Sequence, residues 1–235
     1  MFGYLRYLTG DVIVTRSFLP TVSAVSAVAA AALLLTGCGG GSGGSDKIDQ
    51  SDATTTSAAA PTTTASATPS DTVKRPSTVL PKDLTMTFDW PKTGDTTKDA
   101  VLNDAEQYIR GYNRAAAAHN LKDPAYQFYS RDQGLTYAQA QIKANISGNW
   151  APMGDDRYYG DKLKVVGSGS VTLSYCRNQT KAYSKNFTSG KVNITTPSDS
   201  DYVLYNVLFT KDAVSNGVWQ ASHVVVVERA TQCKQ

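Results

Sequence analysis

The hydrophobic period of this 235-residue chain changes after its helical stretch, and that change limits the folds open to it. In TTKDAVLNDAEQYIRGYNRAAAAHN, apolar residues fall at Val101, Ala105, Tyr108, Ile109, Tyr112 and Ala116. A spacing of three to four places them on one helical face. From Asp161 onward the runs DKLKVVGSGSVTLSYC, YVLYNVLFTK and VWQASHVVVVER are rich in β-branched and aromatic residues. Val171, Leu173 and Tyr175 alternate, as a half-buried strand requires. Helices first and strands afterwards imply an α+β domain, with helices on one face of an antiparallel sheet.

Local signals refine this order. Leu84, Met86 and Phe88 alternate in LTMTFDWP and predict a short strand stopped by Pro91. Thr96 or Thr97 can cap the long helix, with Asp99 favourably placed in its first turn. Gly111 inside that helix suggests a close contact, and the helix should end near Asn120. KDPAYQFYS reads as a short helix with Asp123 as cap and Pro124 in the first position. LTYAQAQIKANIS reads as a third helix, with Tyr137, Ile142 and Ile146 on its apolar face. MGDDRYYGD reads as a solvated loop, Gly167 or Gly169 as a turn or bulge, and KVNITT as a further short strand. Asn216-Gly217 favours a tight hairpin between the last two strands.

Upstream of residue 84 the composition belongs to a different kind of chain. TRSFLPTVSAVSAVAAAALLLTGC carries a positive charge at Arg16, an apolar run and small residues before Cys38, the parts of an export signal. Its end, Leu35-Thr36-Gly37-Cys38, looks like a bacterial lipobox. The resemblance implies that residues 1–37 are removed and that Cys38 carries lipid at the mature N-terminus. The membrane is then a partner through that lipid, on the extracytoplasmic face of a bacterial cell. Residues 38–80 are filled by Gly, Ser, Thr, Ala and Pro and read as a flexible tether. Coil statistics give it a typical reach of roughly 35 Å. Residues 84–235 remain for one folded domain.

The element order of residues 84–235, the long Tyr-containing helix and the Trp-led last strand with its terminal cysteine resemble the NTF2-like (SnoaL-like) fold. They also resemble small actinobacterial lipoproteins that carry such domains. The resemblance implies a curved sheet wrapped around the first helix as a cone, catalytic groups of enzymatic members projecting into that cone, and a possible homodimer through the open sheet face. FTSGKVNITTP has no place in that pattern.

Three cysteines leave one over if two pair; with Cys38 lipidated, Cys176 and Cys233 form the expected disulfide. Two histidines invite a search for chemistry. His119, at the expected end of the long helix, suits the negative end of its dipole. His223 shares strand parity with Ala221, Val225 and Val227, so a concave face there would aim it into the cone as a general base. Asp155 and Asp156 are the candidate acids, and a tyrosine or aspartate would be the partner of His223. The chain has no GxSxG, HExxH, P-loop or dinucleotide fingerprint and no Cys/His metal pattern, so neither cofactor nor metal is expected. A net charge of +3 without a basic cluster excludes a nucleic-acid binder. Four Asn-x-Ser/Thr triplets, at Asn145, Asn178, Asn186 and Asn193, read as chance in a bacterial chain. Two functions stay open: a non-catalytic binding or accessory module of the cell envelope, its partner a small apolar ligand or an envelope protein; or a hydratase- or isomerase-type enzyme using His223.

Overall fold

The computed structural model describes residues 73–211, 214, 215 and 217–235. The expected signal segment, Cys38 and the tether up to residue 72 lie outside the described residues, as does Asn216. In chain order the elements are strand β1 (Leu84–Asp89), helices α1 (Thr96–Ala117), α2 (Pro124–Phe128) and α3 (Asp132–Gly148), then strands β2 (Trp150–Gly167), β3 (Ser170–Asn186), β4 (Val192–Asn193), β5 (Tyr202–Thr210) and β6 (Gln220–Val227). The sheet order is β1-β2-β3-β5-β6, with β4 paired to β3. This is the α+β architecture read from the sequence, helices packed on a bulged, twisted sheet. The β1–β2 pair is parallel, unlike the rest of the sheet. All three helices lie between those two strands, and so long a crossover returns the chain in the same direction.

Alternation along β5 sorts the two faces. Val203, Tyr205, Val207 and Phe209 are buried, and the residues between them are half-buried. Val171, Leu173 and Tyr175 join them from β3, opposite Val101, Ala105, Tyr108, Ile109 and Tyr112 of α1. The residues of α1 expected to form one apolar face are therefore the ones that are buried. Its cap is Asp95, one residue before the two threonines; the carboxylate accepts from Thr97 N at 2.8 Å and Lys98 N at 3.1 Å. Asp123 and Pro124 start α2 as expected, with Asp123 accepting from Ala125 N. Gly111 does mark a close contact: a Cβ there would stand 3.0 Å from Tyr126 N.

Residues 73–80, given to the tether on composition, lie along α1. Val73 and Leu80 pack against the core, Arg75 pairs with Asp104 at 2.5 Å, and Thr78 bonds Gln107. Composition cannot show this, because the partner of Arg75 is a carboxylate on the buried side of a distant helix.

Candidate functional site

MGDDRYYGD is not a loop. It is the middle of β2, and the pleat turns Asp155, Arg157 and Tyr159 to the outside and Asp156 and Tyr158 to the inside. A register shift beside this point brings Arg177 of β3 against Asp156. The guanidinium grips the carboxylate in both arms, Nε to Oδ1 at 2.8 Å and Nη2 to Oδ2 at 2.7 Å. The Asp156 side chain is 1% exposed and that of Arg177 18%. Burial works against the Arg177 charge, but the charge and hydrogen bond of Asp156, with Tyr158 and Tyr205, together outweigh it and hold the guanidinium protonated well beyond its ordinary range.

Aromatic rings close in on this pair. The Tyr158 ring lies 6.0 Å from the Arg177 guanidinium and stacks on Phe88 at 4.7 Å. Tyr175 stacks on Tyr205 at 5.1 Å, and the hydroxyls of Tyr137 and Tyr205 meet at 3.4 Å. Burial pushes the phenols of Tyr108, Tyr112, Tyr137, Tyr158 and Tyr175 upward, so all five stay neutral at physiological pH. They can donate hydrogen bonds but cannot act as bases. Two donors in this shell, Tyr158 Oη and Trp90 Nε1, are buried without an acceptor among the described residues. An unmet donor of this kind costs about 1–3 kcal/mol. The Trp90 ring lies 5.4 Å from that of Tyr175. This part of the interior is thus an aromatic shell around the locked Asp156–Arg177 pair, with donor capacity left over.

His223 is not part of it. Leu208 pairs with His223, but the next residue, Phe209, pairs with Ala221, so Ser222 is a bulge residue. The bulge reverses the parity of β6. Ala221 and Val224 face inward, while His223, Val225 and Val227 are exposed on the outer face. His223 opens instead onto a surface groove of about 620 Å³ shared with Arg131, Asp132, Thr210 and Lys211. Asp155 is exposed on the outside of β2, opposite Lys181. The pairing of a histidine with a carboxylate inside the cone, expected from parity, is not what this chain builds.

His119 takes a different part from the one expected. It occupies a left-handed position (φ 51°) just past α1, with His119 N bonding Ala116 O and Asn120 N bonding Ala115 O. Its ring leaves the helix, donates from Nε2 to Trp150 O at 2.8 Å and stacks on Phe187 at 3.7 Å. It ties α1 to β2 instead of capping the helix carbonyls. Among the described residues no three His, Cys, Asp or Glu gather as metal ligands would.

On the outer face Cys176 and Cys233 stand 5.5 Å apart Cα to Cα, bonded as a disulfide. They form a small second core with Tyr159 and Ala230, and the Tyr159 hydroxyl donates to Cys233 O. The sequence signal for Asp156–Arg177 was present but unreadable: an Asp followed 21 residues later by an Arg acquires meaning only through the bulged register of β2 and β3.

No protein-family model matches the chain, and no curated protein matches it. Among solved structures, the chain is similar to the ketosteroid isomerase-like protein from Erwinia carotovora atroseptica SCRI1043. The two are 16% identical, with a TM-score of 0.39, over 57% of this chain and 97% of that one.

Proposed function

We propose that this protein is an extracytoplasmic lipoprotein, anchored through lipid on Cys38, whose folded domain is a non-catalytic binding or accessory module of the cell envelope. The anchor rests on the run LLLTGC and the low-complexity stretch that follows it. The reading of the domain rests on its interior. Acid–base catalysis needs a group able to exchange a proton near neutral pH within reach of a substrate. The buried carboxylate of Asp156 is held in both arms of a buried arginine, that of Asp104 is taken up by Arg75 and Trp219 N, the phenols of Tyr108, Tyr112, Tyr137, Tyr158 and Tyr175 are pushed upward out of range, and His223 faces away. The same crowding speaks against a small apolar ligand in the cone. It favours an envelope protein as partner, met on the outer surface.

The test is genetic and chemical together. Intact mass of the membrane-extracted protein should show lipid on Cys38, and Cys38→Ala should release the chain from the membrane fraction. A strain carrying Asp156→Leu with Arg177→Met, which removes the charge pair at similar volume, should behave like the parent and unlike a deletion strain. Loss of function in that variant, with the protein folded and at normal level, would overturn the non-catalytic reading.

A further inference from the structure

Three exposed valines crown one end of the domain. Val165 and Val166, at the tip of the β2–β3 hairpin, are 55% and 51% exposed, and Val214, in the turn between β5 and β6, is 87% exposed. The two turns are joined: Lys211 N donates to Gly169 O at 2.8 Å. Gly169 is required there. Its φ is +70°, and a Cβ would stand 2.4 Å from Lys211 O. The β2–β3 hairpin tip that carries Val165 and Val166 is therefore tied to the end of β5 at Lys211. Apolar residues in so exposed a place contribute nothing to the core and call for another surface to cover them.

Lysines stand beside the crown in sequence. Lys162, Lys164 and Lys211 are exposed, and none has a carboxylate partner among the described residues; Lys211 Nζ lies 5.8 Å over the Trp219 ring. The carboxylates at the start of α1 are turned onto their own segment, Asp95 onto Thr97 N and Lys98 N, and Asp99 onto Thr93. Asp212 follows Lys211 in sequence. Exposed aliphatic side chains flanked by amines match the interface of an anionic bilayer, where the apolar tips enter the acyl boundary and the amines meet headgroups.

The same end receives the incoming chain. One oxygen of Asp104 binds Arg75, and the other accepts from Trp219 N at 2.8 Å. Trp219 in turn shares a groove of about 510 Å³ with Thr97, Val165, Gly169 and Lys211. The first described residues are thus linked through Asp104 to Trp219, which lines the same groove as Val165. A second exposed apolar site, around Phe187, Val192 and Ile194, lies on β4 and the turn leading to it. There Lys185 is paired with Asp83, and Lys181 stands opposite Asp155. This leaves one exposed lysine beside the apolar residues, Lys191, without a carboxylate partner among the described residues, against three at the crown.

From these observations we propose that the β2–β3 hairpin tip bearing Val165 and Val166, together with the exposed Val214, is a membrane-contacting tip, which seats the domain on anionic lipid with its entry end toward the bilayer. The proposal rests on the lipoprotein reading for its location but not for its test. The full-length protein is reconstituted in vesicles of phosphatidylglycerol and phosphatidylcholine with brominated acyl chains. Two variants, Val166→Trp and Ile194→Trp, are each compared with the parent so that the native tryptophans cancel. Contact predicts an added emission at 166 that is blue-shifted and quenched about twofold, against little quenching at 194. Lys162→Gln with Lys164→Gln, or vesicles of phosphatidylcholine alone, should relieve most of that quenching. An unquenched 166, or equal quenching at 166 and 194, overturns the tip. The mass of the Cys38 peptide reports the anchor separately. A lipid-free Cys38 sinks the anchor while quenching at 166 still decides the tip.

Discussion

Asp156 and Arg177 show why a buried pair is better judged by removing one partner than by counting its bonds. Desolvating two charges costs several kcal/mol per ion, and their attraction roughly repays it only while both are present. Arg177→Ala should leave a carboxylate inside an aromatic shell and lower the unfolding free energy by about 3–5 kcal/mol. The double variant Asp156→Leu/Arg177→Met should fall within about 1 kcal/mol of the parent or exceed it. Urea unfolding of the parent and both variants measures this. A loss below about 1 kcal/mol for Arg177→Ala would mean that water reaches Asp156, contrary to its 1% exposure.

At the scale of elements, the decisive contact is the clasp between α3 and the edge strand β6. The backbone just before α3 pairs with the strand, Ala221 N to Tyr129 O and Arg131 N to Ala221 O, each at 3.0 Å. The Gln133 amide then bonds both the N–H and the C=O of Val224, as a neighbouring strand would. This covers part of an edge that would otherwise offer itself to another chain. The helix can approach so closely because position 134 is glycine; a Cβ there would stand 2.1 Å from Ala221 O. Gly134→Ala should therefore lower the melting temperature by about 5 °C or more, although alanine is the better helix former by about 1 kcal/mol. A rise in melting temperature would show that the clasp yields freely. Most elements were legible in the sequence because their signals are local: the 3–4 spacing of Val101 to Ala116, the Asp123-Pro124 start, the alternation of β5. The candidate site was far less legible. The inward turn of Asp156 depends on a strand that polar residues disguised as a loop. The outward turn of His223 depends on one bulged residue, Ser222, and a shift of one residue exchanges the faces of everything after it.

The domain as a whole has two cores of unequal size, one on each side of the sheet. The larger lies between the helices and the inner face; the smaller consists of Tyr159, Cys176, Ala230 and Cys233, with Tyr202 and Leu204 packed against it. The cysteine pairing could be read from the chain by counting, but its place on the outer face could not, since that requires the pleat of β3 to put Tyr175 inside and Cys176 outside. The disulfide joins residues 57 apart and fastens the segment after β6 back onto the sheet. In the chain-entropy model a loop of that length contributes about 4 kcal/mol, acting on the unfolded chain. Cys176→Ala/Cys233→Ala should therefore cost about 2–4 kcal/mol in urea unfolding, yet leave the far-ultraviolet circular dichroism of the folded protein unchanged, because the inner core contains neither cysteine. The loss should appear locally as well. Ala230 N bonds Tyr202 O, and Cys233 has no other covalent hold, so proteolysis of the double variant should begin at Arg229 and Lys234 before the sheet is attacked. Uniform digestion would mean instead that the outer core supports the whole sheet, and the two sides would then have to be treated as one cooperative unit.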